Sequence, residues 1–283
     1  MSVKIISDSA CDMTQSEAKE QDVIILPMKN VIDGVEYLDG VTISTEEFYE
    51  KLENCEELPT TSQISPMEFT EAITPIVEDG EEAVIITLAG KLSGTVQSAA
   101  IAAAEFNDRV WVVDSGNVTI GQNILLRYAI RLRDKGLSGR EIVEELERVK
   151  SRICLLARVD TLEYLVRGGR LSKTAGFAGT LLNIKPVLCV EDGEIKVLGK
   201  ARGSRQGNNM LTEFIDKKGG VDFSMPVMLA YSGTDDALLK GYIDNSSALW
   251  DEHLESLPIT MVGSTLSTHA GPGAIAVAFF AKN

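Results

Sequence analysis

Short runs of apolar and β-branched residues recur along the first half of the chain, at Val3–Ile6, Val23–Leu26, Ala83–Thr87 and Val110–Val113. Helix-length segments separate them, and several of those segments announce their own starts. Thr14 with Glu17, Ser44 with Glu47, Ser65 with Glu68 and Ser138 with Glu141 each set a hydroxyl three residues before a carboxylate. The two side chains of such a pair satisfy free N–H groups of a first helical turn reciprocally. Pro66 strengthens the third start, because proline suits the first helical position. Strand-like runs alternating with marked helices predict a parallel α/β sheet. Two Asp-Gly pairs, Asp33-Gly34 and Asp192-Gly193, lie between β-prone runs and predict tight hairpin turns, since both residue types tolerate positive φ.

The second half has a different rhythm. After a charged helix around Glu141 to Lys150, TLEYLVR reads as helical, Gly168-Gly169 as a break, SKTAGFAGTLL as a small-residue helix and KPVLCVEDGEIKVLG as a hairpin. A helix near Gln206 to Lys217, a strand in PVMLAYSG, a helix around Asp235 to Trp250 and strands near Ile259 and Ile275 complete an α+β pattern. The expected fold class is α/β in two domains: a parallel-sheet α/β domain over residues 1–158, then an α+β domain over 159–283. No internal repeat, low-complexity tract or flexible linker interrupts them.

Charge narrows the function. With 27 Lys and Arg against 42 Asp and Glu, the 283-residue chain carries a formal charge of −15, which repels phosphodiester backbones and argues against nucleic acid as a partner. Cys11, Cys55, Cys154 and Cys189 are scattered and have no adjacent histidine, so neither zinc nor a disulfide framework is indicated, and reduced thiols in a cytoplasmic protein are expected. The opening MSVKIISDSA runs straight into a strand, and the longest apolar run, near Ile275 to Ala281, is too short to span a bilayer. No transmembrane segment is expected, which leaves room for a transient membrane encounter.

The stretch AVIITLAGKLSGTVQ, Ala83 to Gln97, carries the most chemistry. A buried-type strand breaks at a glycine and re-enters a helix through Ser93-Gly94-Thr95, setting a hydroxyl and free N–H groups where an anion can sit. Ser93 reads equally as an anion ligand or as a plain N-cap. It is not the nucleophile of a G-x-S-x-G elbow, because Lys91 stands where that motif has glycine. Thr60-Thr61-Ser62-Gln63 clusters hydroxyls and an amide in an expected loop before the Ser65 helix start, and Asp8-Ser9 follows the first strand in the same way. Loops from neighbouring strands of an open α/β sheet converge at one edge, where ligands bind.

His269, in THAGPG, differs from His253, which lies among charged residues and is expected to be inert. A Gly-Pro-Gly turn holding an imidazole at the entrance to a buried strand can aim an N–H donor at a ligand oxygen, or merely stabilise its own loop. GPGAIA precedes a strand instead of opening a helix, so no dinucleotide site is read from it. RGGRLS at Arg167 to Ser172 and KARGSR at Lys200 to Arg205 combine glycine with guanidinium groups, a pairing suited to phosphate or carboxylate. The plainer alternative is a solvated surface patch. No metal-ligand cluster, Walker loop or catalytic acid/base pair stands out, so the reading is a binder without cofactor or metal.

SDSACDM, TSQISP, LSGTVQSA, VDSGN, GGRLSK, NIKPVL with its DGEI turn and HAGPGA, in this order across essentially the whole chain, resemble the DegV family of bacterial fatty-acid-binding proteins. The resemblance implies a non-enzymatic carrier that holds a long-chain fatty acid in a tunnel between its domains. It also implies that the carrier presents the carboxylate to a separate fatty acid kinase, whose acyl phosphate feeds phospholipid synthesis. By matching motifs, Thr61, Ser62, Ser93 and His269 resemble the carboxylate-binding group, and Arg170 and Arg202 resemble residues that assist phosphate handling or kinase docking. The rival is a serine-dependent acyl or phosphoryl transferase using Ser93 and His269, which would need a third group to orient the imidazole.

Overall fold

A computed structural model describes residues 2–172 and 183–282. Four parallel strands form the first sheet: β1 (Val3–Asp8), β2 (Val23–Leu26), β6 (Glu82–Thr87) and β7 (Val110–Asp114), in the order β2-β1-β6-β7. Their continuous apolar character follows from helices covering both faces. β6 shows this directly, with Ala83 to Thr87 all buried. The connecting helices are α1 (Gln15–Glu20), α2 (Thr45–Asn54), α3 (Pro66–Glu78) and α4 (Thr95–Ala103). All four expected capping boxes form, at Thr14, Ser44, Ser65 and Ser138, the last starting α6 (Gly139–Val149).

The Asp33-Gly34 turn joins β3 (Lys29–Ile32) to β4 (Val35–Leu38), with φ of 48° and 79° at its two central residues. Thr60–Ser62, expected as a loop, is instead a short strand, β5, on the other side of β3, giving a small antiparallel sheet in the order β4-β3-β5. β3 supplies the pairing that three polar residues could not announce by themselves.

The second sheet has six strands in the order β10-β9-β8-β13-β11-β12, where β8 is Ile153–Arg158, β9 Ile184–Glu191, β10 Glu194–Arg202, β11 Met228–Tyr231, β12 Ile259–Met261 and β13 Ile275–Phe280. All pairs are antiparallel except β11 with β12. The Asp192-Gly193 hairpin forms between β9 and β10 with both turn residues at positive φ. The expected boundary at Arg158 therefore falls at the far end of a strand that is hydrogen-bonded within the second sheet. One face of this sheet packs on α8 (Gly203–Lys217), α9 (Ala237–Asn245) and α10 (Ser247–Trp250), through Leu156, Leu211, Tyr242 and Trp250. The remaining short helices are α7 (Glu163–Arg167) and α11 (Ser264–Ala270). The expected helix SKTAGFAGTLL lies, from residue 173 to 182, outside the described residues.

Helix α5 (Thr119–Asp134) joins the two halves. Eleven of its sixteen residues are buried, including Gln122, Asn123, Ile124 and Leu125, as expected of a helix enclosed on nearly every side. A single apolar core runs from Ile5 and Ile85 of the first sheet through α5 to Leu155, Ala276 and Phe280 of the second. Between the inner face of the second sheet and the strand ends of the first, that core opens into a cavity.

Candidate functional site

The cavity is lined by both halves of the molecule: Leu88, Leu92 and Val118 from the first, Leu155, Leu188 and Ala276 from the second. Nearly all of its wall is apolar. The exceptions, Thr61, Ser93, Arg170, Thr265 and His269 together with Thr119, come from separated parts of the sequence.

Each is placed by a local cause. Thr61 sits in β5 opposite Asn30, and strand alternation turns it inward while Thr60 and Ser62 face out. Past β6 the chain is pinned by Leu88 N–H donating to Asp8 Oδ2 (2.8 Å), Ala89 N–H to the Asn117 carbonyl (2.8 Å) and Gly90 N–H to Asp114 Oδ2 (3.1 Å). Ser93 follows at the turn into α4. Its Oγ accepts from Thr95 N–H (3.3 Å) and lies 2.9 Å from Thr95 Oγ1, while Gly94 holds the N-cap position. A side chain at Gly94 would collide with Gln63, whose amide reaches Ser98 Oγ at 3.0 Å. That close approach draws the TSQ and LSGT motifs together.

His269 lies in the last turn of α11, four residues after Thr265 and so on the same helical face. The expected turn begins at Gly271, at φ 68°, directly after the helix ends at Ala270, so the imidazole is carried by the helix and not by the turn itself. His269 Nε2 is 2.9 Å from Thr61 Oγ1, and its Nδ1 is buried without a partner against Gly168, where a Cβ would collide with the ring. Burial, reinforced by the charge of Arg170, pushes the imidazole down to about 4, so it is neutral at physiological pH. A proton on Nδ1 would be a buried donor with no acceptor. The network therefore assigns it to Nε2, which donates to Thr61 and leaves the threonine hydroxyl free to donate into the cavity.

Arg170 supplies the charge. Its Nε donates to the Leu92 carbonyl (3.1 Å) and Nη1 to the Gly168 carbonyl (2.8 Å), and it forms no ion pair among the described residues. Burial lowers its pKa, the mark of a cation short of solvent. A half-buried guanidinium without a carboxylate, beside hydroxyls and a neutral imidazole, is complementary to one anionic oxygen pair.

Among the expected site residues, Thr61, Ser93, His269 and Arg170 meet at this cavity, and Ser62 and Arg202 do not line it. Arg202 is exposed at the end of β10, where its N–H donates to Gln206 Oε1 (2.6 Å). Thr265 was not singled out by the sequence reading, yet its hydroxyl is buried, unpartnered and on the cavity wall. Its position four residues before His269 was the available signal. Asp8-Ser9 stays behind the wall instead of facing the cavity. The pairing needed by the transferase alternative does not form: Ser93 bonds Thr95, His269 bonds Thr61, and no carboxylate among the described residues orients the ring.

Comparison with known proteins places this architecture. Residues 2–282 match the profile of the DegV family, described as uncharacterised proteins. The chain belongs to the DegV family. A DegV domain-containing protein of Caldanaerobacter subterraneus is 35% identical over 99% of both chains. Among solved structures, the fatty-acid-binding DegV family protein of Thermus thermophilus superposes with a TM-score of 0.87 at 31% identity, covering 99% of this chain and 100% of its own. The Fatty Acid Kinase B3 protein of Streptococcus pneumoniae, solved with linoleic acid, shares the fold at a TM-score of 0.86 and 22% identity, over 100% of both chains. The two-domain DegV fold is thus the fold of this chain, and no helix among its described residues is long and apolar enough to cross a membrane.

Proposed function

We propose that this DegV protein binds a long-chain fatty acid in the cavity between its sheets, with no catalytic activity of its own. The carboxylate is held by Thr61, Ser93 and Arg170, with His269 orienting the Thr61 hydroxyl toward it, and the acyl chain lies along the apolar wall. The observation that carries this reading is the polarity of the cavity: one cluster of polar side chains that includes Arg170, a cation without an ion pair among the described residues, and a wall that is otherwise mostly aliphatic. Burying about 14 methylenes at about 0.8 kcal/mol each supplies roughly 11 kcal/mol before ordering costs, enough for a ligand to persist through purification. Fatty-acid binding by the Thermus relative supports the ligand class.

The bound acid is presented to a separate fatty acid kinase in the cytoplasm, a reading supported by the fold shared with the Fatty Acid Kinase B3 protein. Arg170 serves the carboxylate here, and Arg202, exposed at the start of α8, is the residue for phosphate handling or docking on the kinase. Ser62, also exposed, supports the Thr61 strand from outside the cavity.

Denaturing the purified protein and analysing its organic extract by mass spectrometry should yield a fatty acid. Protein that carries none, and takes up none when offered oleic acid, would refute the reading. Arg202→Ala should keep its lipid and lose use by the kinase, whereas Ser93→Ala and His269→Ala should lose lipid.

A further inference from the structure

The SDSACD motif, Ser7 to Asp12 at the end of β1 and just beyond it, takes no part in the cavity wall, and its carboxylates are engaged elsewhere. Helix α11, which carries Thr265 and His269, has glycine at its N-cap and no side-chain cap of its own. Its first N–H groups are capped from the other half of the molecule. Gly263 N–H donates to Asp12 Oδ1 at 3.0 Å, Ser264 N–H to Asp39 Oδ1 at 3.2 Å, and Ser264 Oγ to the same oxygen at 2.6 Å. The second oxygens are also engaged: Asp12 Oδ2 accepts from Thr119 Oγ1 at 2.5 Å, and Asp39 Oδ2 from Ser9 Oγ at 2.8 Å. Asn30 Nδ2 donates to Ser264 Oγ at 2.7 Å.

We propose that Asp12 and Asp39 are positioning residues of the carboxylate site, holding the start of α11 so that Thr265 and His269 face Thr61 and Ser93. The inference rests on the fatty-acid reading above. Both aspartates are almost wholly buried, at 7% and 4% exposure, so water does not compete for their donors. His269 lies five residues beyond Ser264, about 7.5 Å along the helix axis, so a change of tilt at the first turn displaces the imidazole. Thr61, its partner, belongs to the same small sheet as Asn30, which grips Ser264. The two sides of the Thr61–His269 bond are thus set by one network. Asp12 and Thr119 both adopt positive φ, 54° and 48°, and for a β-branched threonine that backbone is strained, consistent with a contact that must be made there. Among the described residues no group of His, Cys, Asp and Glu is arranged to hold a metal ion, and all four oxygens of the pair already have donors.

The test uses the full chain loaded with oleic acid carrying carbon-13 at its carboxyl. Its carboxyl resonance and its release rate to phosphatidylcholine vesicles are compared among variants. Asp12→Ala and Asp39→Ala should release oleate about tenfold faster and move the resonance, as expected for removing the buried acceptors that cap the helix start. Asp39→Asn, which keeps an acceptor for Ser264, should recover most of the difference. Ile142→Ala, a core truncation in α6 that does not line the cavity, serves as the stability control and should lower the melting temperature while leaving both readings in place. Folded Ala variants with release within twofold of wild type and an unmoved resonance would overturn the proposal. So would equal acceleration in Ile142→Ala. If the Ala variants do not fold, Ser264→Ala decides by the same two readings. A wild-type protein that never binds oleate defeats the fatty-acid reading itself, a distinct result.

Discussion

At the scale of single residues, His269 is the most informative group. Its neutrality comes from burial and from Arg170, so its imidazole should titrate near 4 by proton NMR, well below the ordinary 6.5. The chain has only two histidines, and His269→Gln identifies the resonance by its loss. A depressed folded-state pKa contributes stability that is complete above about 6.5 and is lost as pH falls through about 4. A midpoint near 6.5 would show a solvated ring and undo the tautomer assignment. Gly168→Ala should push the ring off Thr61 and accelerate lipid release, measured by transfer to vesicles. Thr61, Ser93 and His269, which line one cavity, stood out in the sequence because clustered hydroxyls and an imidazole beside a Gly-Pro-Gly turn are conspicuous. Ser62 and Thr265 show where legibility stops. Which of two adjacent hydroxyls faces inward depends on the pairing of β5 with β3, and a threonine among small polar residues looks like helix surface until its neighbour four residues on is known to face a cavity.

At the scale of elements, what is complete within a few residues was readable and what depends on a distant partner was not. Each capping box closes within four residues, and all four form. Ser138→Ala should therefore cost about 1 kcal/mol in denaturant unfolding, with bound lipid unchanged, because no residue of α6 lines the cavity. The Asp-Gly hairpins are equally local. By contrast, Thr60–Ser62 becomes a strand only because β3, some thirty residues earlier, offers an edge. Ile153–Arg158 belongs to the second sheet because β9 and β13, both later in the chain, flank it. An apolar run announces a strand but not the sheet that claims it.

At the scale of the molecule, both halves contribute to the cavity wall, so filling it should stabilise the whole and not one half. Removing lipid should lower a single melting transition, and oleic acid at about one hundred times its Kd should restore about 2.7 kcal/mol. Two separate transitions would count against one shared core. The buried acids set a second global property. Burial pushes Asp8 up to about 6 and Asp12 up to about 8, against attraction from their hydrogen-bond donors. A carboxyl whose folded pKa is raised contributes stability that is complete below about 4 and is lost as pH rises through its folded value. The stability of wild type relative to Asp12→Asn should therefore fall between about pH 4 and about pH 8, as read from urea midpoints. A difference independent of pH would show that Asp12 does not titrate in that window.

Strand β13 lies between β8 and β11, at the middle of the second sheet, although it follows all of its sheet neighbours in sequence. During synthesis the earlier strands emerge with a gap where their central neighbour belongs. Residues of the cavity wall, Ala274 and Ala276, arrive with that strand. The hydrophobic chamber therefore lacks part of its wall until β13 takes its place, and lipid uptake should follow the closing of the sheet.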